Sequence, residues 1–86
     1  MALAARITDP TSDGVITGAG APTVLIGGMP AALVGDIATP ASGNVPGPFP
    51  IGSVTVFIGG KPALRQGDSA VNGTSVVMGC PTVVIG

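Results

Sequence analysis

The amino-acid sequence predicts a small all-β domain of short strands and β-hairpins with pseudo-threefold symmetry. The 15 Gly and 9 Pro of its 86 residues interrupt the chain throughout, and each costs about 1–3 kcal/mol inside a helix. Between them lie short runs of Val, Ile and Thr, which are residue types that favour strands. One such run, together with the turn after it, occurs in three copies.

The repeat has two complete copies and one divided copy. The first copy covers residues 22–36 and the second covers residues 54–68. Residues 81–86 begin a third copy, and residues 2–9 align with its missing half. The sequence is therefore a circularly permuted three-repeat, and we expect its first nine residues to pair in space with its last five.

Each copy is predicted to form a hairpin. A Thr-Val-x-Ile run makes the first strand, and the Gly-Gly pair after it makes a tight turn with positive φ. A Pro opens the second strand, which is expected to end at Gly-Asp, where the Asp side chain caps a turn. The signature positions of the repeat are Thr23, Ile26, Gly27, Gly28, Pro30, Gly35, Asp36, Thr55, Ile58, Gly59, Gly60, Pro62, Gly67, Asp68, Thr82 and Ile85.

The insertions between the copies differ in length. Residues 10–20 and 69–79 are equally long, whereas residues 37–51 are longer and contain four prolines. We expect this Pro/Gly segment to be a loop with the most irregular backbone of the chain. It is either a plain spacer or a functional tip.

The composition excludes several classes of function. Only 8% of the residues are charged and the net charge is -1, whereas an ordinary soluble domain is about 25% charged. Three basic residues and two Phe cannot follow a phosphate backbone or stack on bases, so no nucleic-acid partner is expected. A surface with so little charge suits permanent contact with another protein.

Residues 1–86 are expected to form one domain. No apolar run approaches the length of a membrane-spanning helix. Residues 1–5 are apolar, but Arg6 follows them and no hydrophobic signal-peptide region comes after. We therefore expect the chain to be made in the cytoplasm without a signal peptide.

No catalytic arrangement is predicted, so the chain is not expected to be an enzyme. Cys80 has no His to activate it, and its repeat equivalents are Ala21 and Ser53, so we interpret it as a small buried residue. Asp13 is out of register with the repeat and is expected to be an exposed loop residue. The other aspartates share one repeat position and are interpreted as turn caps: Asp9, Asp36 and Asp68.

Three basic residues could act together. Arg6 and Arg65 occupy nearly equivalent repeat positions. With Lys61 they would form either a basic ring around one end of the domain or a solvated edge.

The phrase Pro-Thr-Val-x-Ile-Gly-Gly-x-Pro-Ala-Ala-x-x-Gly-Asp resembles the PAAR-repeat family. Residues 21–36 match its signature closely, residues 53–68 match with a few changes, and residues 79–86 match its usual ending. Residues 1–14 resemble its usual opening, in which Ala-Ala-Arg leads to an Asp-Pro turn. The resemblance therefore covers nearly the whole chain.

The resemblance implies a small β cone on the end of a trimeric β-helical spike. The spike would be the VgrG protein of a type VI secretion system or the central spike of a phage-like tail. One copy would cap each trimer, sharpen its point and touch the target membrane transiently. A pseudo-threefold chain suits this task, because the open strand edges of a blunt threefold end invite aggregation. The alternative function is a stand-alone β module that binds a metal or another ligand.

The family commonly holds a zinc ion near the tip with several His and one Cys, whereas this sequence has no His and one Cys. Asp13 stands where the family often has His, and Ala38 and Pro40 fall where further ligands are usual. Cys80 alone matches a position that tends to hold a ligand. Because structural zinc needs four Cys or His ligands, we expect no cofactor, with Cys80 and Asp13 as weak metal candidates.

Overall fold

Residues 2–86, which the computed structural model describes, form ten β-strands and no helix. The strands are β1 (Ala2–Ala4), β2 (Pro10–Thr11), β3 (Gly14–Thr17), β4 (Ala21–Ile26), β5 (Met29–Ala31), β6 (Ile37–Pro40), β7 (Gly47–Pro48), β8 (Phe57–Ile58), β9 (Lys61–Pro62) and β10 (Cys80–Ile85). The all-β fold predicted from the sequence is confirmed. No helix in this part of the chain is long and apolar enough to cross a membrane.

Two hairpins share one geometry. Ile26 pairs with Met29 in β4–β5, and Ile58 pairs with Lys61 in β8–β9. Both residues of each turn are glycines, with φ between 59° and 83°. Glycine adopts this conformation without strain, whereas residues with a Cβ rarely do. The Gly-Gly turns predicted from the sequence are therefore present.

The two ends of the chain form a third sheet of the same kind. Strand β1 runs antiparallel to β10, with Ala2 opposite Ile85. The pairs at the next position are Leu3–Val84, Pro30–Leu25 and Pro62–Phe57. The predicted pairing with the last five residues is thus found for Ala2 and Leu3, whereas Ala4 pairs with Cys80, and Met1 lies outside the described residues.

Backbone hydrogen bonds join the three repeat units in a closed cycle. The Ala5 N–H donates to the Leu64 carbonyl at 3.0 Å, and the Leu64 N–H donates to the Ala32 carbonyl at 3.0 Å. The Ala32 N–H donates back to the Ala5 carbonyl at 3.1 Å. A second set of equivalent bonds joins Ile7 to Pro30, Val34 to Pro62 and Gln66 to Leu3. These cycles are consistent with a pseudo-threefold, permuted three-repeat.

The second unit departs from the predicted strand pattern. Its Thr-Val-x-Ile run is a strand only at Phe57–Ile58. The Ser53 hydroxyl accepts hydrogen bonds from the backbone N–H groups of Thr55 and Val56, at 3.2 and 3.0 Å. These local bonds bend the chain and occupy N–H groups that a strand ladder would otherwise use.

The insertions carry a four-stranded sheet, in the order β2-β3-β6-β7, which the sequence interpretation does not include. The prediction of a loop over residues 37–51 is wrong for β6 and β7, which pair in this sheet. The Thr17 and Thr39 hydroxyls lie 2.6 Å apart across β3 and β6, and Ala38 is buried. The exposed segment 41–46 is the loop between β6 and β7.

The core contains one large side chain from each repeat unit. Ile16, Phe49 and Val76 are equivalent, because the N–H of each donates to the carbonyl of the aspartate at the shared repeat position of its unit. All three are at most 2% exposed. The other buried residues of this cluster are Ala5, Ala32, Ala38, Leu64 and Ala70. Apart from Leu64, the side chains that lie between these three large ones are thus the small ones of alanines.

Thr8 has a strained backbone conformation. Its φ is 79°, and the equivalent residues of the other units are Gly35 and Gly67, with φ of 98° and 96°. We expect Thr8→Gly to raise the free energy of unfolding by about 1 kcal/mol, because a residue with a Cβ is disfavoured at positive φ. Calorimetry of the folded domain measures the change. The opposite substitution, Gly35→Ala, should lower the melting temperature, and a lowered melting temperature for Thr8→Gly would contradict the argument.

Candidate docking face

Each hairpin exposes one large apolar side chain at the same register position. Leu25, Phe57 and Val84 are 61%, 58% and 47% exposed. Because backbone bonds close the three units in a cycle, residues at equivalent positions lie at the same end of the molecule. These three side chains, together with the strands β1, β4, β5, β8, β9 and β10, are called the hairpin face.

The outer strands of the hairpin face have free stretches. The pairing of β4 with β5 shifts between Ala21 and Leu25, and residues 22–24 between them are exposed. The pairing of β10 with β1 shifts at the equivalent place, where residues 81–82 are exposed. An exposed strand edge can pair through its backbone groups with a strand of another chain.

A carboxylate caps the turn after each hairpin. Three Oδ2 atoms each accept a hydrogen bond of 2.7 Å from the backbone N–H three residues earlier, those of Asp9, Asp36 and Asp68. This is the turn-capping role predicted from the repeat. The bond from the Leu33 N–H also removes that group from a strand ladder. Strand β5 therefore ends at Ala31 and does not reach the predicted Gly-Asp.

Two of these carboxylates also bind an arginine. Arg6 Nη2 lies 2.7 Å from Asp9 Oδ1, and Arg65 Nη2 lies 2.9 Å from Asp68 Oδ1. Hydrogen bonding to the carboxylates raises the pKa of both guanidinium groups. Both arginines are only partly exposed. They form neither a free basic ring nor a solvated edge, whereas Lys61 is exposed.

Cys80 is buried, with 3% exposure, and pairs with Ala4 as its equivalent Ala21 pairs with Ala31. Its Sγ lies 3.3 Å from Thr82 Oγ1. Hydrogen bonds from the Thr82 hydroxyl and backbone lower the pKa of the thiol, and the nearby Arg6 cation adds to this effect. The chain has no histidine to take the proton of this thiol. What the structure shows for Cys80 is burial, pairing with Ala4 and the contact with Thr82.

The sequence model of one protein family, described as the PAAR motif, matches residues 7–78. The chain belongs to the PAAR motif family. The match contains both complete repeats of the chain and all of its insertions up to residue 78. A search of curated proteins finds no match to it. PAAR proteins are structural, and they are associated with the spike tips of type VI secretion and related contractile systems.

The PAAR signature residues occupy three kinds of position. Four glycines form the two Gly-Gly turns: Gly27, Gly28, Gly59 and Gly60. The threonines Thr23, Thr55 and Thr82 are exposed, and the isoleucines Ile26, Ile58 and Ile85 are half-buried. Gly35 and Gly67 precede the capping aspartates, and the Pro30 and Pro62 carbonyls accept bonds from neighbouring units. The signature therefore specifies turns, caps and contacts between units.

Asp13 lies in the turn between β2 and β3, but it is not exposed, contrary to the prediction from the sequence. Its Oδ2 accepts hydrogen bonds from Ser42 Oγ at 2.7 Å and from Asn44 Nδ2 at 3.2 Å, and the residue is half-buried. Because these partners lie about thirty residues away in the sequence, sequence reasoning could not find the contact. Asp13 joins the β2–β3 turn to the 41–46 loop of this PAAR domain.

The donor atoms of this PAAR domain do not fit a structural zinc site. Within residues 2–86, no three side chains of His, Cys, Asp or Glu lie close enough together to hold a metal ion. Cys80 lies in β10 beside the Arg6 cation. Asp13 lies at the turn of a different sheet and binds Ser42 and Asn44. The two weak metal candidates thus have separate surroundings.

Sequence reasoning does not single out the residues of the hairpin face. Leu25, Phe57 and Val84 are the variable positions of the Thr-Val-x-Ile runs. Strand alternation is the signal that finds them, because neighbouring side chains in a strand point to opposite faces. The invariant Ile turns inward, so the residue before it turns outward.

Proposed function

We propose that this PAAR domain caps the end of a trimeric β-helical spike, with one copy per trimer. The observation that carries the proposal is the hairpin face, where Leu25, Phe57 and Val84 stand exposed at equivalent positions. Three similar units in one chain offer one similar contact to each chain of a threefold partner.

The backbone of the hairpin face supports the same conclusion. The end of a β-helix presents strands whose N–H and C=O groups have no further partner. Residues 22–24 form an exposed strand segment that can pair with such an end. A stable interface buries on the order of 1,200–2,000 Å² in total, about half of it from the cap, against 4235 Å² of accessible surface on this chain.

The proposal places the domain at the tip of a phage-like tail or of a VgrG-type secretion spike. It would be made in the cytoplasm, assemble on the spike and contact the target membrane transiently as the spike advances. The three insertions are joined to one another by backbone bonds, such as Ser12 N–H to the Ser75 carbonyl and Val71 N–H to the Pro48 carbonyl. These bonds stiffen the insertions, which would form the leading end of the domain when the spike advances.

Co-expression with a candidate trimeric β-helical spike protein tests the proposal. Native mass spectrometry of the purified complex counts the copies of each chain. One copy per trimer is the expected result. Three copies per trimer, or no complex, would contradict the cap. A lone monomer that carries a metal or another ligand would favour the stand-alone β module.

We also propose that the domain holds no stoichiometric zinc, because Cys80 is the only donor of the usual soft type. Elemental analysis of protein purified without chelators is expected to find far less than one transition metal ion per chain. One tightly held ion per chain would overturn this expectation. In that case Cys80→Ser should release the ion, whereas Ser53→Ala, at the equivalent position, should not.

A further inference from the structure

The three grooves between neighbouring hairpins differ in what fills them. One groove lies between β4 and the β8–β9 turn and has a volume of about 250 Å³. Leu33 lines it, together with Ala21, Pro22 and Val24 on one side and Ile58 and Lys61 on the other. It is called the Leu33 groove, and it opens on the hairpin face.

Arginines occupy the other two grooves. Leu33 is the repeat equivalent of Arg6 and Arg65. The Arg65 guanidinium donates to the Gly52 and Gly86 carbonyls, each at 3.1 Å, and so joins the two sides of its groove. Arg6 lies between Gly27 and Cys80 in the same way, because a Cβ built on Gly27 would meet Arg6 Nη1 at 2.8 Å and Cys80 Sγ at 3.2 Å.

The surroundings of the hairpin turns also show that one groove is open and two are filled. The first turn glycines of the three units are equivalent: Gly27, Gly59 and Gly86. A Cβ built on Gly86 would stand 2.6 Å from Thr55 Oγ1, whereas one built on Gly59 meets nothing within 4 Å. The Leu33 groove is therefore open because a shorter, uncharged side chain replaces the arginine of the other units.

We propose that the Leu33 groove receives one aliphatic side chain of the spike, carried beside a carboxylate. The proposal rests on the cap function, since the groove is continuous with the hairpin face. Its lining is mainly apolar, which suits a side chain without charge. Small-molecule sites usually occupy about 300–1,000 Å³, so this groove suits a side chain better than a free ligand.

The charged residue at the edge of the Leu33 groove indicates why the inserted side chain should have a carboxylate beside it. Arg6 and Arg65 are paired with Asp9 and Asp68 inside the domain. Lys61 is exposed at the edge of the groove, and no ion pair to it is formed in the described part of the chain. A carboxylate next to the inserted side chain would complement this ammonium group.

The consequence is an asymmetric junction between a symmetric spike and a nearly symmetric cap. Only one of the three identical spike chains can place its side chain in the Leu33 groove. The equivalent residues of the other two chains meet grooves already filled by Arg6 and Arg65. The three exposed side chains of the hairpin face thus make similar contacts, whereas the grooves give one anchoring contact and two contacts of a different kind.

The substitution Leu33→Arg tests the proposal. Asp36 Oδ2 stands 2.7 Å from the backbone N of residue 33, as Asp9 Oδ2 stands 2.7 Å from that of Arg6. The new arginine can therefore pair with Asp36 and fill the groove as its equivalents do. We expect a folded domain whose affinity for the spike trimer is about tenfold to a hundredfold lower, the value of one buried aliphatic side chain.

Titration of the spike trimer protein with the wild-type and variant domains gives the result. If the wild-type domain binds and Leu33→Arg binds with the same affinity, the groove proposal is wrong and the cap function is unaffected. No binding by the wild-type domain would overturn both. Thr23 also lines the groove and is exposed, so if Leu33→Arg does not fold, Thr23→Phe narrows the same groove and must also weaken binding. Lys61→Gln should weaken binding by a smaller, salt-dependent factor, and unchanged affinity for it would refute the paired carboxylate.

Discussion

Phe57→Asp is expected to abolish capture of the spike trimer while leaving the domain folded. Phe57 is 58% exposed and lies outside both buried clusters. At the proposed interface its burial contributes about 1.5–3 kcal/mol. An aspartate there would lose this contribution and would also bury a carboxylate without a partner, which costs more. The combined loss corresponds to at least about a hundredfold in affinity.

Val45→Asp is the matched control for this experiment. Val45 is 78% exposed and lies in the 41–46 loop of the insertion sheet, away from the hairpin face. Both substitutions place the same charge on an exposed apolar position, so both should change the free energy of unfolding by less than about 0.5 kcal/mol. Equal loss of capture by the two variants, or full capture by Phe57→Asp, would contradict docking through the hairpin face.

The turns and caps of this fold were predictable because their causes are local. A Gly-Gly pair favours a turn with positive φ, and an Asp can cap the backbone N–H three residues before it. Both causes lie within a few residues of their effects. The pairing of β1 with β10 was also predictable, since the repeat aligns residues 2–9 with the continuation of residues 81–86.

The four-stranded insertion sheet, β2-β3-β6-β7, was not predictable from local sequence or from the repeat. Its central pairing joins β3 to β6, whose paired residues lie twenty or more positions apart in the sequence, such as Ile16 and Ala38. The prolines of residues 37–51 are typical of a loop, yet Pro40 and Pro48 lie at the ends of strands β6 and β7. A proline at such a position removes no bond that the sheet needs. Composition alone does not distinguish this case from an irregular loop.

The candidate site shows the same division between local and distant causes. The alignment itself shows that Leu33 replaces an arginine of the other units. That the replacement leaves an open groove depends on the neighbouring hairpin, which brings Ile58 and Lys61 against β4. The distance between these elements is a property of the closed cycle of units, so only the structure reveals the opening.

Phe49→Ala is expected to destabilise the domain by about 3–5 kcal/mol, the usual cost of removing a buried Phe side chain. Phe49 is fully buried and is the largest such side chain in residues 2–86. Its surroundings explain why the cost should fall in the upper part of this range. Most of its buried neighbours are alanines, whose methyl groups are fixed to the backbone and cannot rotate into the vacated space. The cavity would therefore persist, together with its cost.

Substitutions at the equivalent positions of the other units give losses of stability with which that of Phe49→Ala can be compared. Ile16→Ala and Val76→Ala remove progressively smaller side chains from the same core, so the loss of stability should fall in the order Phe49, Ile16, Val76. Phe57→Ala should cost little, because that ring is 58% exposed. The chain has no Trp or Tyr, so calorimetry or far-ultraviolet circular dichroism must follow unfolding. A loss below about 1 kcal/mol for Phe49→Ala would mean that the core collapses around the missing ring, against the rigidity argued for its alanines.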